Sequence, residues 1–203
     1  MEHTHCINLM TITYYSVESP KKDEGTRILG TGIAIRTRYP IMRSACPNDR
    51  TTCICTRFSN TPIAIISAYG LTEINSDIDA KQKFYNVLKN LLASVPKEYQ
   101  NNVVILGDFN ARIGVYSEDS NNAIRGKYGG DPVNVNDIEL MTFCQNMNMV
   151  IANTYFYRQH YGTWKHTNVH AKISWYQIDH VTTKTQDKIK ILDCGNGVWM
   201  GRP

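Results

Sequence analysis

With 203 residues, 42% hydrophobic and 20% charged, the chain is long enough for one domain with a substantial core and ordinary for a globular protein. Seven prolines and thirteen glycines are too few for a disordered or collagen-like chain, and no apolar run approaches the ~20 residues of a membrane-spanning helix. The net charge of +4 permits an anionic partner such as nucleic acid without demanding one.

In chain order, the N-terminal Met1-Glu2-His3-Thr4-His5-Cys6 lacks the basic start and apolar stretch of a signal peptide. The expected setting is therefore intracellular and reducing, the nucleus included, with no membrane attachment. Gly30 to Arg36 reads as a strand and Thr51 to Phe58 as a second, strongly β-prone one. Ser59-Asn60-Thr61-Pro62 is a hairpin-like break, and Ile63 to Tyr69 is nearly all apolar, which suggests burial on both faces.

A helix follows, capped by Ser76 or Asp77 and ended by Pro96. Phe84, Val87, Leu88, Leu91, Leu92 and Val95 recur at helical spacing, with Lys81, Lys83 and Lys89 largely off that stripe. Val103 to Leu106 is a buried strand. Tyr116 to Asn136 reads as a long polar surface loop. Asp137 to Met147 is a second amphipathic helix, with Asn136 as cap and Leu140, Phe143, Cys144 and Met147 as its stripe. Val150 to Tyr155, Gly162 to His166, Ser174 to Thr183 and Lys188 to Leu192 read as further strands. This mixed order predicts an α/β fold in which two packed β-sheets are flanked by helices.

The six cysteines, Cys6, Cys46, Cys53, Cys55, Cys144 and Cys194, have irregular spacing. No pair shows the two-residue gap of a zinc site, and Cys53 and Cys55 read better as buried thiols on one strand face than as ligands.

The polar residues that invite a chemical reading sit at strand ends. The strand at Val103 runs into Gly107-Asp108-Phe109-Asn110. In extended chain Asp108 and Asn110 point the same way, into one pocket at a strand's carboxyl end. Gly107 allows a close backbone approach. An Asx-turn that simply closes the strand is an equal rival. Asp179 lies inside the strand-like Trp175 to Val181, where a carboxylate is paired, functional or, if its face is exposed, a solvated edge charge. Tyr69 ends another buried strand and is either functional or a rim aromatic.

Leu106-Gly107-Asp108-Phe109-Asn110-Ala111-Arg112-Ile113-Gly114 resembles the central signature of the endonuclease/exonuclease/phosphatase family. The resemblance is nearest to the endonuclease domains of LINE-type retrotransposons and to craniofacial development protein 2-like sequences. Gly30 to Ile35, Ser67-Ala68-Tyr69, Phe84-Tyr85 with Leu88 to Val95, Asn136 to Cys144, Asn153 to Phe156, Thr163 to His166 and Gln177 to His180 follow in family order, so it spans about residues 27 to 190.

The resemblance implies a four-layer α/β sandwich and hydrolysis of phosphate esters with a divalent metal, normally magnesium. It implies that Asp108 positions and deprotonates water and is a possible metal ligand. Asn110 would orient that carboxylate and contact phosphate, Tyr69 would hydrogen-bond the phosphate or leaving oxygen, and Asp179 would orient a catalytic histidine. Arg112 and Lys127 are candidate phosphate contacts, with solvated charges as the plain alternative. Trp164 is a candidate substrate-rim aromatic, although a core tryptophan is the favoured reading, and His166 matches a family histidine.

The 203 residues contain neither the family's Gln-Glu pair, which supplies the main metal ligand, nor its Ser-Asp-His run, which supplies the catalytic histidine. The expectation is a single domain over residues 1–203, truncated relative to the family and lacking those two motifs, with replacement by His166, His170 or His180 disfavoured. The sequence-based function is a DNA endonuclease of retrotransposon origin. A non-catalytic remnant that binds nucleic acid, or a phosphatase-type member of the superfamily, stands beside it. The sequence carries no signal for oligomeric state.

Overall fold

The computed structural model describes residues 4–9, 12–17, 30–73, 77–114, 124–129, 132–166 and 174–194. Strands β1 (Thr4–Leu9) and β2 (Ile12–Val17) form an antiparallel sheet with β3 (Gly32–Arg36). A six-stranded sheet contains β4 (Ile41–Asn48), β5 (Thr51–Phe58), β6 (Thr61–Tyr69), β7 (Val103–Asp108), β8 (Met149–Ile151) and β11 (Asp179–Lys184), in the order β4-β5-β6-β7-β11-β8. A small ribbon pairs β9 (Trp164–His166) with β10 (Ser174–Tyr176). Helix α1 (Ile78–Ser94) joins β6 to β7, and α2 (Val135–Asn146) precedes β8.

Alternation along the strands builds two cores. Cys53, Cys55, Ala64, Ile66, Ala68, Val103 and Ile105 pack with Phe84, Leu88, Leu91 and Leu92 of α1 and with Leu140, Phe143 and Cys144 of α2. The opposite side chains, Ile54 and Ile65, pack with Ile33 and Ile35 of the smaller sheet. The α/β class and the packed pair of sheets are as expected. Among the described residues both helices lie against the larger sheet, and none is long and apolar enough to cross a membrane.

Both cysteines of β5 lie in the helix-side core. Burial pushes the Cys53 thiol up to about 12 and also raises Cys55, so both stay protonated and behave as small apolar groups.

The hairpin between β5 and β6 turns on Ser59 and Asn60, both with positive φ (46° and 68°), as a two-residue primed turn requires. Asp77 caps α1 through its carboxylate, which accepts the Ala80 N–H at 2.6 Å.

Several sequence readings need correction. Lys81 is not off the apolar stripe. It precedes Phe84 and Leu88 by three and seven residues and is buried with them. Helix α2 starts two residues earlier than expected, and its cap is Asn134 rather than Asn136. The strand predicted from Ser174 to Thr183 breaks at Gln177 and Ile178 into β10 and β11. Val150 to Tyr155 is a three-residue strand ending in a 3-10 turn, and the region from Lys188 belongs to another 3-10 turn over Thr185–Lys190. Strands β1, β2 and β4 carry little apolar alternation and were not predicted. Much of the predicted loop, residues 116–123 and 130–131, lies outside the described residues, as does His170.

The fold converges where β7 runs between β6, in parallel, and β11, antiparallel. Gly107 has φ +150° there, and a Cβ on it would lie 1.9 Å from the Ala68 carbonyl oxygen of β6. Gly107→Ala is therefore expected to destabilise the fold by about 3 kcal/mol or more. Urea denaturation followed by circular dichroism checks this; a loss under about 1 kcal/mol would show that the strands part without cost.

Candidate active site

The parallel register places Tyr69 beside Asp108, and the antiparallel register places Asp108 opposite Asp179. Three residues singled out on separate strands are thus neighbours at one end of the sheet. Asp108 lies on the strand face that points away from the helices, because Val103 and Ile105 occupy the other.

Beyond Asp108 the chain turns sharply. The Asp108 carboxylate accepts the Asn110 N–H at 2.8 Å, and Asn110 adopts φ 51°. This is the Asx-turn that stood as the rival reading. Turn and pocket are both present: Asp108 and Asn110 line one cleft of about 440 Å³.

Amides fasten that turn. The Asn110 side chain donates to the Gly70 carbonyl at 3.2 Å. Its own carbonyl accepts from the side chains of Asn134 and Asn136, each at 2.9 Å. Asn136 donates also to Leu71 O, while the Asn134 side-chain oxygen accepts the N–H groups of Arg112 and Asp137. Asn136 is therefore a buried clamp between two loops, and Asn134 both caps α2 and holds the signature segment.

The cleft also takes in Tyr69, Arg112, Trp164 and His166 from the predicted set, with Thr72, Glu73, Asn134, Tyr176 and Ile178. Arg112 is no solvated charge. Its guanidinium pairs with Glu73 at 3.2 Å and lies 4.9 Å from the centroid of the Tyr176 ring. Glu73 reaches the Val135 N–H with its second oxygen, in the first turn of α2. Trp164 is not a core residue: it is 44% exposed and stacks on Tyr176 at 6.1 Å, with His166 packed against both rings.

Two predicted residues lie apart. Lys127 is exposed, rests near the Tyr128 ring, and does not line the cleft. Asp179 is exposed and outside the lining, at the start of a strand that lies inside the sheet between β7 and β8. Its N–H and that of Ile178 donate to the Thr163 hydroxyl, which ties the start of β11 to the ribbon. Glu73 and Tyr176 were missed. A carboxylate 39 positions from Arg112 leaves no local signal, whereas Tyr176 lay in an aromatic run already noted.

Burial pushes Asp108 up to about 6; the Asp179 charge adds to the rise and the Asn110 N–H opposes it. A carboxyl there changes charge close to neutrality, as a general base must. The neighbouring imidazole behaves oppositely. His180 is fully buried, its Nε2 is 2.8 Å from the Ala111 carbonyl oxygen, and its Nδ1 is 3.2 Å from the Asn153 amide. A carbonyl only accepts, so Nε2 carries the proton. Asn153 Oδ1 accepts the Val181 N–H, so its amide nitrogen donates to Nδ1. Burial lowers His180 to about 4, outweighing the Ala111 carbonyl and the Asp179 charge. This neutral, fully bonded histidine is a structural residue and offers no proton-transfer site.

The donor set in the cleft is hard: carboxylate and amide oxygen from Asp108 and Asn110, with Glu73 already engaged. No group of three or more His, Cys, Asp or Glu side chains suited to a metal occurs among the described residues. Such donors fit a magnesium-like ion shared with substrate phosphate, which commonly takes one or two protein carboxylates, rather than a preformed cage.

The two shifted groups have opposite effects on stability. Asp108 binds its proton more tightly folded than unfolded, so its contribution is lost as pH rises through about 6. Asp108→Asn should therefore raise the unfolding free energy at pH 8 by about 1–2 kcal/mol, allowing for solvent screening of a half-buried group, with the gain gone by about pH 4. His180 has a depressed folded pKa. In the Asp108→Asn background its contribution should be complete above about pH 6.5 and fall by about 3 kcal/mol towards pH 4. Urea titrations across this range check both; a pH-independent difference between wild type and Asp108→Asn would refute the first.

No family sequence model and no curated protein sequence matches the chain. Solved structures do. The endonuclease domain of TRAS1, a telomere-specific non-LTR retrotransposon, is 14% identical with a TM-score of 0.57, over 89% of this chain and 71% of that one. The 3'-5' exonuclease NExo from Neisseria meningitidis is 15% identical with a TM-score of 0.56, over 89% and 70%. A second structure, of the 3' phosphatase NExo (D146N) from Neisseria bound to a product DNA hairpin, gives 14%, 0.56, 87% and 68%. With its stacked sheets and the cleft at the ends of β6 and β7, the chain has the fold of the endonuclease/exonuclease/phosphatase family.

Proposed function

We propose that the chain acts on phosphodiesters of nucleic acid, with DNA as substrate and a retrotransposon-type endonuclease as its ancestor. The observation that carries this reading is the convergence of Tyr69, Asp108, Asn110, Arg112 and His166 on one cleft at the carboxyl ends of two parallel strands. Support comes from the shared fold and from the chemistry of these groups.

In this reading the Asn110 N–H holds one oxygen of Asp108, and the other faces the cleft to take a proton from water. The Asn110 amide and the Tyr69 hydroxyl are neutral donors that meet a phosphate without competing for the proton. Arg112, restrained by Glu73 and Tyr176, offers N–H groups to a flanking phosphate. The Trp164–Tyr176 stack forms an apolar wall for sugar and base. A magnesium ion, with Asp108 as a ligand, would neutralise phosphate charge and favour departure of the leaving oxygen. Asp179 acts through Asp108, by raising its proton affinity.

A second reading, nucleic-acid binding without turnover, is favoured by one observation. Glu73 is committed to Arg112 and α2, so Asp108 is the one carboxylate of the cleft lining outside an ion pair, among the described residues.

Supercoiled plasmid incubated with magnesium separates the two. Catalysis predicts nicking that falls by at least about 100-fold in Asp108→Ala and rises with pH through about 6. Salt-sensitive plasmid retention without nicking would establish the second reading. Neither nicking nor retention would refute both.

A further inference from the structure

The β9–β10 ribbon has two faces. Trp164, His166 and Tyr176 point into the cleft already described. Strand alternation sends Lys165 and Trp175, which are paired across the ribbon, to the other side. A second cleft of about 360 Å³ opens there, lined by Gln159, His160, Tyr161, Gly162 and Trp175. Trp175 is 55% exposed and Tyr161 37%. The Trp175 ring, more than half open to water at a concave place, is a large aromatic surface available for stacking.

The seating of Trp175 is specific. A Cβ on Gly162 would lie 2.6 Å from Trp175 Cβ, so only glycine lets the backbone pass this close. The backbone of Trp175 is thereby held close against Gly162. Around it stand the Gln159 amide and the His160 imidazole, both exposed and both able to donate and accept hydrogen bonds. Lys165, also exposed, adds a positive charge beside the ring. An aromatic ring in a cleft, hydrogen-bonding side chains in its lining and one adjacent cation are the complement of a nucleotide whose base is unpaired.

We propose that this outer cleft is a stacking subsite for an unpaired base of single-stranded DNA, separate from the cleft that holds Asp108. The inference rests on the reading that the chain acts on nucleic acid, and adds to it the strand state of the bound DNA. A paired base offers only its edge and is excluded. A protein loop could use the same ring but has no need of Lys165.

The test is binding alone, in EDTA and at fixed salt, by fluorescence anisotropy of a labelled oligothymidine of about 12 nucleotides. Trp175→Ala should weaken it about 5- to 100-fold, and Trp175→Phe less than about 3-fold, because the ring is kept. Wild type should bind an abasic oligonucleotide about as weakly as Trp175→Ala binds the normal one. Affinity for a blunt duplex should be unchanged in Trp175→Ala. Equal oligothymidine affinity of Trp175→Ala and wild type would overturn the subsite, as would an equal loss on duplex and single strand. Failure of wild type to bind the single strand, while Asp108-dependent plasmid nicking persists, overturns the subsite and leaves the proposed function standing. Failure to bind or nick any DNA overturns both.

Discussion

The close approach of β6 and β7 at Gly107 is the constraint on which the remaining geometry depends. A side chain at that position would occupy the Ala68 carbonyl, and a wider strand spacing would break the parallel register. That register sets Tyr69 beside Asp108, while the β11 ladder sets Asp179 opposite it. The α1 crossover fixes the direction of β7, so both strands deliver their last residues to the same end. A slip of one residue would turn Asp108 towards Phe84 and Leu88 and bring an apolar side chain to the cleft.

What holds the strand end is a set of neutral amides. Asn110, Asn134 and Asn136 tie the signature turn to the segment after β6 and to the start of α2. None adds charge, so the proton affinity of Asp108 is set by its own burial, by the Asn110 N–H that opposes the rise, and by Asp179. The basic side of the cleft is likewise restrained. Glu73 balances Arg112 and the Tyr176 ring packs beneath its guanidinium, which lowers the entropy lost when a phosphate binds.

Much of this was legible in the sequence, for physical reasons that differ by element. Thr51 to Phe58, Ile63 to Tyr69 and the α1 stripe carry strong periodicity, and their cores formed as expected. Gly107 to Asn110 announced a strand that stops on a carboxylate. Asn136 was mistaken for a cap because Asn134, two residues away, has the same chemistry; burial against Leu71 and Asn110 separates them, and burial is a tertiary property. Lys188 to Leu192 shows strand-like alternation, but its first residues end a 3-10 turn over Thr185–Lys190 that contains the Asp187–Lys190 pair. Trp164 and Trp175 have similar neighbours in sequence and opposite faces in space, which no spacing rule assigns until the ribbon is known. The Arg112–Glu73 pair joins distant segments and was invisible for the same reason.

The central claim is that Asp108 is a desolvated carboxyl whose proton affinity is raised by its place between two strand ends. Carbon-detected NMR titration of its carboxyl, in wild type and in Asp179→Asn, reads this directly. The expected midpoint is about 6 in wild type, and removal of the Asp179 charge should move it to lower pH. A wild-type midpoint near the ordinary 3.8, unchanged in Asp179→Asn, would contradict the claim.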